Sequence, residues 1–280
     1  MKSPGLLNQQ QKAKQFFELH HKGKLLILPN VWDSLGALLL EDIGYPAIAT
    51  ASASVAFANG YDDGENIPFK ELLVLLKKIA GNVNIPVTAD IESGYADNDE
   101  QLQQNIQQLI EAGIVGINIE DTDKKTKTLL PIEVQCKKIK LIKKASEEMN
   151  VPLFINARTD IYLRDANNTH KLEETITRGN AYKDAGADCF YPITMCNVDD
   201  ITATIQRLQM PVNIITMPGI PSLIELEKTG VARVSLGPSF LKYAIKAMKD
   251  LAEQLKNYDG LQSIIENDIT SAYFYAHQLI

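Results

Sequence analysis

Eight short apolar runs, rich in β-branched residues, alternate with helix-like patterns from one end of the chain to the other. That strict alternation constrains the fold more than any other feature. The runs are LLILP (25–29), AIAT (47–50), PVTAD (86–90), VGINIE (115–120), PLFINA (152–157), DCFYP (188–192), VNIIT (212–216) and ARVSL (232–236). Helical patterns fill 33–43, 69–80, 99–112, 132–149, 171–185, 198–208, 221–229 and 238–256. Parallel strands need long crossover connections, and eight strand–helix units in series are what a (β/α)8 TIM barrel requires. An open doubly wound sheet is the alternative, and it suits eight strict alternations less well.

The punctuation agrees. Gly44, Gly113, Gly186 and Gly230 each follow a helical pattern and precede a strand, as C-terminal caps do. EAGIVGI, DAGADCF and KTGVARV repeat one helix–Gly–strand device. No low-complexity linker divides the chain, so a single domain over 1–280 is expected. In it a short helix from about Leu6 to His20 precedes a barrel at about 24–256, and a helical extension occupies 257–280. In that extension Ile264, Ile265, Ile269, Tyr273, Phe274 and Ile280 call for an apolar surface, on the chain's own barrel or on a neighbouring subunit.

Composition narrows the function. A net charge of −7, with no basic stripe carrying interleaved aromatics, argues against nucleic acid as a ligand. No apolar run has the length to span a bilayer, and the N-terminal stretch lacks the apolar core of a signal peptide. No membrane partner is expected, and the cytoplasm is the expected compartment. Cysteines at 136, 189 and 196 lack metal-ligand spacing, and Cys136 and Cys189 read as small buried hydrophobes. The histidines at 20, 21, 170 and 277 fall near the chain ends or in a polar loop and suggest no site.

Catalytic groups of such barrels sit at the C-terminal ends of the strands. Asp90 and Glu92 end the third strand, Glu120 and Asp121 the fourth, Arg158 and Asp160 the fifth, and Asn213 and Thr216 lie on the seventh. Asp33 follows the first strand; Asp62 and Asp63 occupy the loop after the second. Carboxylates two apart on a strand face the same side and repel unless something positive sits between them. A hard divalent cation with oxygen ligands would serve, with Arg158 nearby. Asp33 and Asp160 read equally well as helix caps, and Arg158 as a buried partner of Glu120.

PNVWDSLGALLLEDIGYPAIATASASVAFANGYDDGE, PVTADIESGY, GINIED, FINARTDIYL, RGNAYKDAGADCFYP and ARVSLGPS, in this order and spacing, resemble the isocitrate lyase/phosphoenolpyruvate mutase superfamily from Leu26 to Lys256. The resemblance implies a Mg2+ ion, with Mn2+ as the alternative, and a small 2-oxo or 2-hydroxy carboxylate substrate cleaved through an enolate-like intermediate. It implies homodimers or homotetramers with the eighth helix exchanged between subunits. Asp90 matches the closest metal ligand, with Asp63, Glu92 and Glu120 approaching the ion through its waters. Ser52 and Ala53 match the small-residue turn whose N–H groups hold substrate oxygens, Arg158 a carboxylate clamp, Trp32 an aromatic wall, and Asn213 a further polar contact.

The chain departs from the pattern in places. The lid stretch EDTDKKTKTLLPIE has neither the Cys of the lyase branch nor the mutase pattern, and Ser54 stands where relatives carry Gly. Within the lid, Lys124, Lys125 and Lys127 are the candidates for closing over an anionic substrate, with Lys125 singled out as the catalytic one. The favoured expectation is a carbon–carbon lyase. The alternatives are a C–P hydrolase or mutase, which would need Lys125, and an oxo-acid-binding protein without turnover.

Overall fold

The computed structural model describes residues 5–164 and 168–276. After an N-terminal helix α1 (Gly5–Leu19), the chain forms β1 (Leu26–Leu28), β2 (Asn30–Val31), α2 (Ser34–Asp42), β3 (Ile48–Thr50), α3 (Ser52–Ala58) and α4 (Phe69–Asn82). It continues through β4 (Val87–Asp90), α5 (Asp99–Glu111), β5 (Gly116–Glu120), α6 (Ile132–Glu148), β6 (Phe154–Thr159), α7 (Ile161–Arg164) and α8 (Lys171–Asp184). Last come β7 (Cys189–Pro192), α9 (Val198–Leu208), β8 (Asn213–Ile215), α10 (Leu223–Thr229), β9 (Arg233–Ser235), α11 (Ser239–Lys256), α12 (Leu261–Ile265) and α13 (Ser271–Ala276). The elements expected from periodicity lie within two residues of these bounds.

Two local expectations change. The first strand is split at Pro29, which has no N–H to give to a ladder. The stretch after β3, expected as a turn, is the helix α3, because SASVAFA has the small residues that helices favour and lacks a breaker.

Every strand pair is parallel: one sheet runs β2-β3-β4-β5-β6-β7 and the other β1-β9-β8. The chain itself links the sheets at Pro29, whose carbonyl accepts from Ala49 N (2.9 Å). On the other side Phe190 bridges to Val212. Register separates the two faces. Ala89, Ile117 and Ile155 share one level, and Ile119, Ala157 and Phe190 the next; all are buried in the main apolar core. Between these levels Asp90, Asn118, Asn156 and Cys189 align on the opposite face, with Glu120, Arg158 and Tyr191 one step nearer the C-terminal ends. Alternation of period two therefore puts the apolar set against the helices and the polar set on the inner face.

Glycine caps the helices as expected. Gly44, Gly113, Gly186 and Gly230 have φ between 89° and 108°, a region open to Gly without a Cβ clash. Beyond α11, α12 is exposed and Ile264, Ile265 and Ile269 find no cover within the described chain; Ile280 lies outside the described residues. Among the described residues no helix is long and apolar enough to cross a membrane.

Candidate active site

β4 stops at Asp90, and the chain turns at once. Glu92 (φ 50°), Gly94 (φ 112°) and Tyr95 (φ 54°) all adopt left-handed backbone, and Gly94 N donates to Ile91 O (2.8 Å). A Cβ at Gly94 would lie 2.8 Å from Leu102 Cδ1, so this position requires glycine. The turn corrects the sequence reading of Glu92, which is presented by a left-handed turn and not by the strand. Asp90 Oδ2 accepts from Ser52 N (3.4 Å) and Oδ1 from Glu92 N (3.3 Å). Glu92 Oε1 accepts from Glu65 N (2.8 Å) and Tyr95 Oη (3.1 Å).

Glu65, which the sequence reading passed over, ties this turn to the loop after α3. Its Oε1 accepts from Ser93 N (3.0 Å), Ser93 Oγ (2.6 Å) and Tyr95 N (3.0 Å). Its Oε2 lies 3.5 Å from Lys124 Nζ. The available signal was a carboxylate in the Gly-containing loop that already carries Asp62 and Asp63. Its partners stand 28 and 30 residues away, beyond the reach of local patterns.

The neighbouring strand ends hold the cation. Arg158 Nη1 meets Glu120 Oε2 at 2.8 Å, while Nε and Nη2 donate to the two oxygens of Asp160 at 2.6 and 3.0 Å. Asp160 is fully buried and also accepts from Thr122 Oγ1 (2.7 Å), so it orients Arg158 rather than capping a helix. Asp33 is a helix cap: its Oδ1 accepts from Gly36 N (2.7 Å). Asp121 faces away and is satisfied by Thr159 Oγ1, Tyr182 Oη, Arg178 Nη1 and Asp160 N. Arg178 Nη1 also donates to Leu130 O (2.8 Å), which fixes the far end of the lid.

These groups open on a cleft of about 310 Å³ lined by residues that include Ser52, Asp63, Glu92, Glu120 and Arg158, with Asp90 half-buried beside it. The lid is a small hairpin, bridged at Thr122 and Leu129 and turned by Asp123 Oδ1, which accepts from Lys125 N and Thr126 N. Lys124 and Lys127 face the cleft; Lys125 is exposed, pairs with Asp97 at 3.3 Å and does not line it. Trp32 packs on the core, and neither it nor Ala53 lines the cleft. Asn213 is fully buried below, accepting from Ser235 Oγ (3.1 Å).

Burial dominates the electrostatics. It pushes Glu92 up to about 8, with the Asp90 and Asp63 charges adding to the effect. Burial also raises Asp90 against the pull of Arg158. Burial disfavours the charge on Arg158, but the Glu120 and Asp160 carboxylates outweigh it and hold the guanidinium charged. Clustered groups with displaced pKa values mark functional sites more often than structural ones.

The donor set is all oxygen and anionic. Among the described residues, no three acidic, histidine or cysteine side chains form a ready cage for one ion. Such a set suits Mg2+, which keeps several of its waters and takes one or two carboxylates. The fit is supported by Asp90, a half-buried carboxylate that feels the Arg158 guanidinium while that group is already committed to Glu120 and Asp160.

Fold and cleft together define an α/β enzyme of the TIM-barrel type with an acidic mouth. Residues 16–256 match the phosphoenolpyruvate phosphomutase family. The uncharacterized protein Rv1998c of Mycobacterium tuberculosis is 34% identical over 79% of this chain and 81% of its own length. A solved Burkholderia cenocepacia protein, provisionally assigned as a phosphonomutase, superposes with a TM-score of 0.84 at 36% identity, covering 87% of this chain and all of that one. Phosphonopyruvate hydrolase, solved with oxalate and Mg2+, shares the fold at 21% identity and a TM-score of 0.83, over 95% of this chain and 94% of its own. The chain belongs to the isocitrate lyase/phosphoenolpyruvate mutase superfamily, whose members include carbon–carbon lyases such as 2-methylisocitrate lyase and 2,3-dimethylmalate lyase.

Proposed function

We propose that the chain is a Mg2+-dependent lyase that cleaves a carbon–carbon bond of a small 2-oxo or 2-hydroxy carboxylic acid through an enolate-like intermediate. The carrying observation is Asp90, half-buried at a strand end with Ser52 N–H at one oxygen and Glu92 N–H at the other, beside a cleft lined with further carboxylates. Asp90 would hold the ion, and Asp63, Glu92 and Glu120 would act through its waters. When bound, the ion supplies positive charge that lowers the cost of an oxyanion at the substrate's oxo group.

The chain's own groups do the rest. Three N–H donors of Arg158 are engaged by Glu120 and Asp160, so each terminal nitrogen keeps one N–H for a substrate carboxylate. The two anchors fix the plane of the guanidinium, so little side-chain freedom is lost on binding. The hairpin lid, tied down at Leu130, covers the cleft and keeps water from the intermediate.

The test is thermal unfolding with oxalate, an enolate mimic, with and without Mg2+. A shift is expected only with both present, since a ligand at about 100 times its Kd adds on the order of 2.7 kcal/mol. Asp90→Ala should remove the shift. No shift with the unaltered protein overturns the reading. A shift directs a screen of oxo acids, phosphonopyruvate included, for pyruvate or CO2 release.

The same reading joins the two sheets into one closed barrel, in a single domain, at Pro29 and at the Phe190–Val212 bridge. It also places α11 against a second copy of the chain.

A further inference from the structure

Buried phenols in this chain find carboxylates. Tyr95 Oη donates to Glu92 (3.1 Å), and Tyr182 Oη donates to Asp121 (2.7 Å). Tyr191 breaks the pattern. It is 3% exposed, and among the described residues its hydroxyl has no hydrogen-bond partner. The fully buried polar atoms without a partner include Asn213 Nδ2 and Arg233 Nη1 but not Tyr191 Oη, so the small exposed part of Tyr191 includes its hydroxyl. A buried tyrosine hydroxyl ordinarily has a partner, and one without it points to a ligand or a role in the chemistry.

Its position supplies the role. Tyr191 pairs in register with Arg158, and Arg158 with Glu120, so all three stand at one level of the inner face. The charges that reach the phenol are those of Arg158, Asp90, Arg233 and Asp160. Arg233 is fully buried, donates to Ser235 Oγ (3.0 Å) and Asn118 Oδ1 (3.3 Å), and forms no ion pair among the described residues. Burial raises the phenol above its ordinary value, so it carries its proton at neutral pH. The lid brings neither Cys nor His to the cleft, and Lys124 there is already held by Glu65 and Asp97.

We propose that Tyr191 is a catalytic residue whose hydroxyl gives the proton that converts the enolate into product. The inference rests on the oxo-acid reading above and assigns the proton donor that this reading does not name. When the carbon–carbon bond breaks, its electron pair stays on C3 of the fragment bearing the 2-oxo group, as the enolate. That pair forms a C–H bond with the proton of Tyr191 Oη, and the O–H electrons remain on the oxygen as phenolate. Arg158 and Arg233 offset this negative charge until solvent returns the proton.

Pyruvate probes the step without knowledge of the cleaved substrate, because its C3 hydrogens exchange through such an enolate. By reversibility, the oxygen that protonates C3 also takes the proton away. In D2O with Mg2+, NMR should show the unaltered protein replacing C3 hydrogen by deuterium. Tyr191→Phe should exchange at least about 100-fold more slowly, the scale of general acid–base catalysis. Its Mg2+-dependent oxalate Kd should stay within about twofold. Its unfolding temperature should be no lower, since the lost hydroxyl bonds to nothing in the protein. A smaller loss of exchange overturns the assignment, as does absence of exchange in an unaltered protein that binds oxalate; both leave the oxo-acid reading standing. Weaker oxalate binding or a lower unfolding temperature in Tyr191→Phe makes the hydroxyl a binding or structural group and also overturns it. Failure of oxalate to bind the unaltered protein overturns the oxo-acid reading and the assignment with it.

Discussion

Asp90 and Glu92 stand two apart in the chain, yet their relation is set by a third residue that neither predicts. Glu65 takes the amides of Ser93 and Tyr95, and its own N–H goes to Glu92 Oε1. The turn carrying Glu92 is thereby locked to the loop carrying Asp63. Hydrogen bonds to a charged group contribute about 1.5–3 kcal/mol each, and donors left unpaired in a buried place cost more than the bond was worth. Glu65→Ala should therefore destabilise the protein by about 3 kcal/mol, read by urea denaturation. Mg2+-dependent oxalate binding should weaken with it, because Glu92 loses its frame. Unchanged stability would show that the three contacts to Glu65 Oε1 carry little.

At the scale of elements, α1 closes one side of the β6 core. Its last turn places Phe16 edge-on to Phe154, and His20, just past the helix, stacks on the same ring at a centroid distance of 4.2 Å. His20 Nδ1 pairs with Phe16 O (2.8 Å), while Nε2 has no partner among the described residues. Burial, reinforced by the charge of Arg233, lowers this imidazole to about 3. His20, which the sequence placed at the end of the first helix, is therefore buried against Phe154. Its folded value lies below the unfolded one near 6.5, so the stabilising effect is full above pH 6.5 and lost progressively as pH falls toward 3. The slope reaches about 1.4 kcal/mol per pH unit for one group. Chemical denaturation between pH 7 and pH 5 should show a steeper loss in the unaltered protein than in His20→Gln; parallel curves would mean that His20 charges without resistance.

For the whole molecule, the eighth barrel helix is the outlier. Of α11, only Leu241 is buried, while Tyr243, Ile245, Met248 and Leu255 are exposed, as are Leu261, Ile264 and Ile265 beyond it. Ile245, Met248 and Leu255 share one face of this helix, which packs on little of its own chain, and the proposed contact with a second copy would cover that face. Sedimentation should show a dimer or tetramer, and Ile245→Asp/Met248→Asp should shift it toward the monomer by placing charges in the contact. A monomeric unaltered protein would remove the proposal.

Local chemistry alone was enough to place the eight strand–helix units. Period-two and period-3.6 patterns depend on neighbours within a few residues, and glycine after a helix reports a φ that other residues resist. The same logic put Asp90, Glu120 and Arg158 at strand ends that face one mouth, because parallel strands of matched register carry their ends to the same side. It could not see that β4 would stop at Asp90 and turn left-handed, nor that SASVAFA would become helix α3 and direct Ser52 N–H at Asp90. Nor could it choose among three lysines spaced within four positions of one loop, where a single turn sets Lys124 and Lys127 along the cleft and leaves Lys125 outside it beside Asp97. Trp32, Ala53 and Asn213 show the same limit: each lies close to a strand end in the sequence, but none lines the cleft. Periodicity and capping are short-range properties and are written in the chain. Which side chains share a cleft depends on partners tens of residues apart, and those meet only when the strands are brought into register.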